Sequence, residues 1–218
     1  ENKMPLIGDH APEFHAMTTQ GKIDFPTDYK GSWVVLFSHP ADFTPVCTTE
    51  FIALSRMNET FESLNTKLIG LSIDSLHSHL GWIKSIEALN FNNEGKVKIP
   101  FPIIADISMN VAKKYGMLQT VANTQTVRAV FIIDPEGIIR TILYYPMSTG
   151  RNIPEIIRIL QSLQLNDKTH YSTPANWQPG DDVVMGAPLT IEEAQERLES
   201  SDNTIKPLDW YLTMKKMK

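Results

Sequence analysis

The alternation of short apolar runs with longer segments of helical period constrains this 218-residue chain most strongly. "SWVVLF" (32–37), "TKLIGLSID" (66–74), "AVFIID" (129–134) and "IIRTILYY" (138–145) are strand-sized and rich in β-branched residues. "IPFPIIAD" (99–106) is extended too, with prolines that suit a strand start or a sheet edge. Between the runs, Phe51, Leu54, Met57, Phe61 and Leu64 recur at spacings of three and four, which predicts a helix over 48–64. The same period predicts helices over 78–90 and 153–165, the latter with Pro154 in its first turn, and a short one over 108–115 closed by Gly116. "PEG" (135–137) marks a hairpin between the last two strands. Strand and helix in alternation, closing on a hairpin and a helix, predict an α/β layered domain with a central sheet flanked by helices.

The pattern changes after about residue 166. "HYSTPANWQPGDDVVMGAPLT" (170–190) holds three prolines, two glycines and no clear period. A capping box at Thr190-x-x-Glu193 then opens a short helix to about Leu198. The expected domains are therefore 1–166 and a small C-terminal one over 167–218. The latter is too irregular to promise a core of its own, and packing on the main domain or a second subunit is expected. "MKKMK" (214–218) reads as a frayed, solvated tail.

Net charge is −5, with 20 basic against 25 acidic residues and no long basic run, which argues against a nucleic-acid partner. No apolar run approaches the roughly 20 residues of a bilayer span. The single cysteine excludes an internal disulfide framework and suits a reducing compartment; with no signal-like segment near the start, a cytoplasmic location is expected. His77 and His79 stand two apart, read as surface residues, and no metal is expected.

That cysteine, Cys47, sits in "HPADFTPVCTTE" (39–50), directly before the helix over 48–64. A lone cysteine is ordinarily an inert, buried, small apolar residue. A reactive one works as the thiolate and needs partners for its charge. Free amides and the positive end of a helix dipole would face Cys47. Thr44 offers a hydroxyl on the same turn, and His39 is a candidate donor from one turn further back. Pro40 and Pro45 stiffen the loop and remove two N–H donors. Glu50, one turn onward, is placed to orient a basic group brought from elsewhere.

Pro40, Thr44 and Cys47 resemble the peroxiredoxin signature Pro-x-x-x-Thr/Ser-x-x-Cys. Arg128 in "QTVRAVFIIDPEG" and Arg151 in "GRN" match the arginines that follow in that family. The lone cysteine, "LFSHP" and "TPANWQPGDDVVM" (173–185) resemble its one-cysteine branch. The resemblance implies a thioredoxin-like fold with an extended C-terminal domain, and a homodimer. It also implies a thiol peroxidase acting on hydrogen peroxide and alkyl hydroperoxides, with no prosthetic cofactor. In that reading Cys47 is the nucleophile, Thr44 and Arg128 bind the peroxide, Pro40 shields the sulfur, and Glu50 and Arg151 orient the arginine. The resulting sulfenic acid has no second cysteine to resolve it, so an external thiol such as glutathione or a dithiol protein must recycle it.

Two other chemistries fit less well. Thiol–disulfide exchange wants Cys-x-x-Cys, and position 50 is Glu50. The acyl-hydrolase activity of some one-cysteine relatives is ascribed to a Gly-x-Ser-x-Gly serine. Here Lys30 and Val34 flank Ser32 in the glycine positions, and "DFP" (24–26) stands where a triad histidine would fall.

Overall fold

The computed structural model describes residues 4–119 and 125–217. The first compact unit covers 1–153. Its strands are β1 (Phe14–Thr18), β2 (Gly21–Phe25), β3 (Trp33–Ser38), β4 (Thr66–Ser72), β5 (Ile103–Ala105), β6 (Arg128–Ile133) and β7 (Ile139–Tyr145). Its helices are α1 (Pro45–Arg56), α2 (Asn58–Ser63), α3 (Leu76–Ala88) and α4 (Asn110–Lys114). The seven strands form one mixed sheet in the order β2-β1-β5-β4-β3-β6-β7. The β3–β4 and β4–β5 pairs are parallel, and the other four are antiparallel.

The central strands read as continuous apolar runs because both sheet faces are buried. Val34, Leu36, Ile69, Leu71, Ala129, Phe131 and Ile133 share one face with Val111, Ala112 and Tyr115 of the α4 region. On the other face Phe37 meets Phe51 of α1 and Phe101, both ring pairs 5.5 Å apart, and Phe51 meets Trp82 of α3 at 4.5 Å. Gly70 of β4 lies beneath this aromatic layer. A methyl group there would stand 3.3 Å from the ring tips of both Phe37 and Phe51. Gly70→Ala is therefore expected to destabilise the fold by about 1–3 kcal/mol through overpacking. Urea unfolding checks it, and a midpoint equal to wild type would show that the rings yield freely.

The helix expected over 48–64 starts earlier and is interrupted. Pro45 occupies its first turn, where a missing N–H costs nothing. At Met57 the backbone leaves helical geometry (φ −96°, ψ 3°), and α2 follows. The hairpin β1–β2 has no counterpart among the expected elements. Its register pairs Phe14 with Phe25, whose rings stack 5.0 Å apart.

The second unit covers 154–218. It contains almost all of α5 (Ile153–Thr169), then β8 (Val183–Val184), α6 (Ile191–Leu198), β9 (Ile205–Asp209) and β10 (Leu212–Lys215). Compactness thus divides the chain before α5, whereas residue 166 lies inside that helix. Side chains of α5 bond forward into the following segment: Ser162 pairs with Thr173, Arg158 donates to the Trp177 carbonyl, and Asn166 donates to the Tyr171 carbonyl. The segment that reads as irregular holds a three-stranded sheet, β8-β10-β9, with Trp177, Val183 and Thr213 buried. Met214 and Lys215 belong to β10, so the 214–218 segment is no frayed tail over its described residues; cross-strand hydrogen bonds hold it. Helix α6 starts at the expected cap, with the Thr190 hydroxyl accepting from the Glu193 N–H.

Candidate active site

Sheet register builds the site. Strand β3 ends at Ser38, and the chain turns through 39–44 into α1. Strand β6 runs antiparallel to β3 with Phe37 opposite Val130. Arg128, two residues before Val130, therefore stands beside the loop that β3 feeds. Strand β7 pairs Tyr145 with Arg128, and the following loop returns Arg151 to the same place.

Cys47 lies in the first turn of α1 and is fully buried. The first bond into this helix runs from the Thr48 N–H to the Thr44 carbonyl, so the amides of Val46 and Cys47 precede the intrahelical ladder. Arg128 Nη1 lies 3.1 Å from the Cys47 sulfur and 2.6 Å from Glu50 Oε1. Its Nε and Nη2 both donate to the Met147 carbonyl, at 2.9 and 2.7 Å. Glu50 also takes three bonds from Arg151: the backbone N–H at 2.9 Å, Nε at 2.6 Å and Nη2 at 2.9 Å. Arg151 Nη1 reaches the carbonyls of Ser38 and Ala129. One carboxylate thus holds two buried guanidinium groups, and each guanidinium is further fixed by backbone oxygens. Burial pushes the Glu50 carboxyl up, but the hydrogen bonds and charge of Arg151, with the charge of Arg128, outweigh it and hold it below the usual carboxylate range.

Removing that carboxylate leaves two buried cations short of a partner. Glu50→Ala is expected to cost about 3–5 kcal/mol in stability. A carboxyl held low contributes stability above its ordinary value, and that contribution is lost as pH falls below it. Melting temperature followed from neutral to acid pH should therefore fall less steeply in Glu50→Gln than in wild type; parallel curves would contradict the assignment.

Pro40 is buried in the loop and Thr44 is half-buried. The Thr44 hydroxyl donates to the Ala41 carbonyl at 2.7 Å. Its proton is spent there, which leaves the oxygen as an acceptor. His39 does not fill the expected role of donor to the sulfur. Its Nε2 bonds Asp42 at 2.7 Å, and its ring packs against Phe51 and Trp82, each 4.9 Å away. Burial holds the His39 ring below its usual range despite the Asp42 bond.

His79 corrects a second expectation: it is fully buried, not on the surface. Its Nδ1 meets Asp42 at 2.6 Å and its Nε2 meets the Ile104 carbonyl at 2.9 Å. Both ring nitrogens thus have a partner within hydrogen-bond distance. His39, Asp42 and His79 are among the described residues the one trio with metal-ligand chemistry whose atoms converge, within 4.8 Å. Hydrogen bonds join the three directly, and the remaining His79 nitrogen is engaged by Ile104. The sequence hid this cluster because its histidines come from the β3–α1 loop and from α3, 40 positions apart. Ser32 lines a separate cleft with Pro26, Tyr29, Lys30 and Asp134, and no histidine is among its described lining residues.

Comparison with known proteins matches both parts of the chain. Residues 7–142 match the AhpC/TSA family, and residues 162–201 match the C-terminal domain of 1-Cys peroxiredoxin. A peroxiredoxin of Methanosarcina mazei is 58% identical over 215 residues, 98% of each chain. Peroxiredoxin 2 of Sulfurisphaera tokodaii is 50% identical over 221 residues, covering 100% of this chain and 99% of that one. Among solved structures, a yeast mitochondrial 1-Cys peroxiredoxin superposes with a TM-score of 0.84 at 42% identity, covering 98% of this chain and 100% of that one. The peroxiredoxin 6 of Arenicola marina gives 0.82 at 36% identity, covering 98% and 99%. The fold is therefore thioredoxin-like, with the small C-terminal domain of the one-cysteine branch. Matched in both parts and aligned end to end with these proteins, the chain belongs to the peroxiredoxin family, in its one-cysteine branch, and is a thiol peroxidase.

Proposed function

We propose that Cys47 is the peroxidatic nucleophile and that the chain reduces hydrogen peroxide and alkyl hydroperoxides. The observation that carries this reading is the Arg128 guanidinium, 3.1 Å from the only thiol in the sequence and fixed from behind by Glu50. The Cys47 thiolate attacks the nearer peroxide oxygen along the O–O bond. A new S–O bond forms, the O–O bond breaks, and its electron pair leaves on the distal oxygen, which takes up a proton as water or an alcohol. Sulfur is oxidised to the sulfenic acid and the peroxide is reduced. Charge passes from sulfur to the leaving oxygen, so fixed donors at both ends favour the transition state over the ground state. Arg128 and the Cys47 N–H supply donors. Thr44, its own proton committed to Ala41, accepts the hydrogen bond of the peroxide O–H. Pro40 keeps bulk water from the sulfur, and Glu50 and Arg151 hold the Arg128 fork in place.

An external thiol then condenses with the sulfenic acid, releasing water, and a second thiol equivalent restores Cys47. The yeast neighbour, described with a thiol resolving mechanism via glutathione/thioredoxin systems, supports a glutathione-like thiol or a dithiol protein as the reductant. That dependence fits a cytoplasmic setting. None of the described helices is long and apolar enough to cross a membrane. We read the assembly as a homodimer, in keeping with Leu189 and Ile191 of the C-terminal unit, whose apolar side chains are almost fully exposed in the single chain.

Single-turnover oxidation tests the reading. One equivalent of peroxide added to the reduced chain should place one oxygen on Cys47 by mass spectrometry, and a screen of thiols should identify which restores it. Peroxide consumption with no oxygen or adduct at Cys47 would overturn it.

A further inference from the structure

The loop that carries Pro40 and Thr44 is clamped by a buried polar network outside the arginine cluster. The Asp42 carboxylate accepts from His39 Nε2 at 2.7 Å, His79 Nδ1 at 2.6 Å and Ser78 Oγ at 2.9 Å. The side chains of Asp42, His39 and His79 are all excluded from solvent. Burial pushes the Asp42 carboxyl up, but the hydrogen bonds of His39 and His79 outweigh it and hold it well below the usual carboxylate range. The backbone is held as well. The Asp42 N–H donates to Asp74 Oδ2 at 3.0 Å, and the same oxygen takes the Ser72 hydroxyl at 2.5 Å. At the loop entry the His39 N–H bonds the Leu71 carbonyl, and its own carbonyl takes the Thr126 hydroxyl.

The consequence runs through one peptide group. The Asp42 N–H and the Ala41 carbonyl belong to the same planar unit. Asp74 holds the N–H end, and three donors hold the side chain that follows it. The other end of that plane, the Ala41 oxygen, takes the Thr44 hydroxyl proton. Rotating the plane would free that proton and turn Thr44 from an acceptor into a competing donor. We propose that Asp42 and Asp74 are positioning residues for peroxide reduction: by fixing the Ala41–Asp42 peptide plane they set the Thr44 hydroxyl as an acceptor for the peroxide O–H. The inference rests on the reading of Thr44 given above.

A double-mutant cycle on the full chain tests it. Peroxide reaction would be followed by stopped flow for wild type, Asp42→Asn, Thr44→Val and the double variant. Iodoacetamide alkylation of Cys47 would be timed in the same four proteins. Asp42→Asn is expected to slow the peroxide reaction about tenfold or more. Its alkylation rate should stay within about twofold of wild type, since Arg128 is untouched and alkylation needs no acceptor for a peroxide proton. In the Thr44→Val background, Asp42→Asn should cause little further loss of peroxide rate. A peroxide rate within twofold of wild type, an equal fall in both reactions, or additive losses would each overturn the proposal. A Thr44→Val rate equal to wild type would instead remove the underlying reading of Thr44. If Asp42→Asn does not fold, Asp74→Ala, which frees the same N–H from a less buried position, replaces it in the same cycle with the same criteria.

Discussion

Cys47→Ser is expected to reduce peroxide consumption to the background rate of the added thiol, while the protein keeps its fold. Oxygen and sulfur occupy nearly the same place, and a hydroxyl accepts a hydrogen bond from Arg128 as the sulfur does. Stability therefore changes little. Reactivity does not survive, because the nucleophile is the anion and a serine hydroxyl stays protonated at neutral pH. A thiol ionises far more readily than a hydroxyl, and the Arg128 fork stands beside the sulfur. A serine needs a base to take its proton, and this site offers cations instead. Consumption of peroxide in a coupled assay, with circular dichroism as the control for folding, checks the expectation. Turnover in Cys47→Ser above a few percent of wild type would mean that another group carries the reaction.

Arg128→Ala is expected to lower kcat/KM for peroxide several-hundredfold, about 3–4 kcal/mol of transition-state stabilisation. Two effects add. The site loses the charged donor nearest the sulfur, and Glu50 keeps only Arg151 as its buried partner. The planar fork matters as much as the charge. Arg128 touches Cys47 and Glu50 through Nη1 while Nε and Nη2 are held by the Met147 carbonyl. Lysine supplies a point charge with no second edge to be held from behind. Arg128→Lys should therefore recover only part of the loss, with kcat/KM still below wild type by about tenfold or more. A value for Arg128→Ala within about threefold of wild type would refute the assigned role.

Much of the first unit was legible in the sequence because both sheet faces are covered. A strand buried on two sides must be a continuous apolar run, and β3, β4 and β6 are such runs. The hairpin β1–β2 escaped because it lies at the sheet edge, where Phe14 and Phe25 face the core and polar residues alternate with them. The strands of the C-terminal unit are short, and Pro207 within β9 weakens their pattern. At the site, Cys47 and its place at the head of a helix were visible in local spacing. So was Glu50, one helical turn onward. His39 was misread, since spacing put it near the sulfur while its ring is turned to Asp42. Asp42 and Asp74 carry no local signal and His79 reads as a surface residue, because what joins the three is the parallel pairing of β3 with β4 and the position of α3.

The sequence by itself determined the chemistry available: one thiol, a helix start to face it, and no second cysteine to resolve its oxidised form. Those are properties of composition and of residues within one or two turns of each other, where local geometry is set by the backbone. Only the tertiary structure decided which charges reach the thiol. The antiparallel β3–β6 register, with Phe37 opposite Val130, carries Arg128 across 81 positions to the sulfur. The β6–β7 register then returns Arg151 to Glu50. Strand pairing is a cooperative choice of the whole sheet, and a shift of one residue would turn Arg128 to the opposite face. The direction of the Thr44 proton depends on the same level of structure, since the Ala41–Asp42 peptide and the side chain after it find their partners in the segment following β4 and in α3.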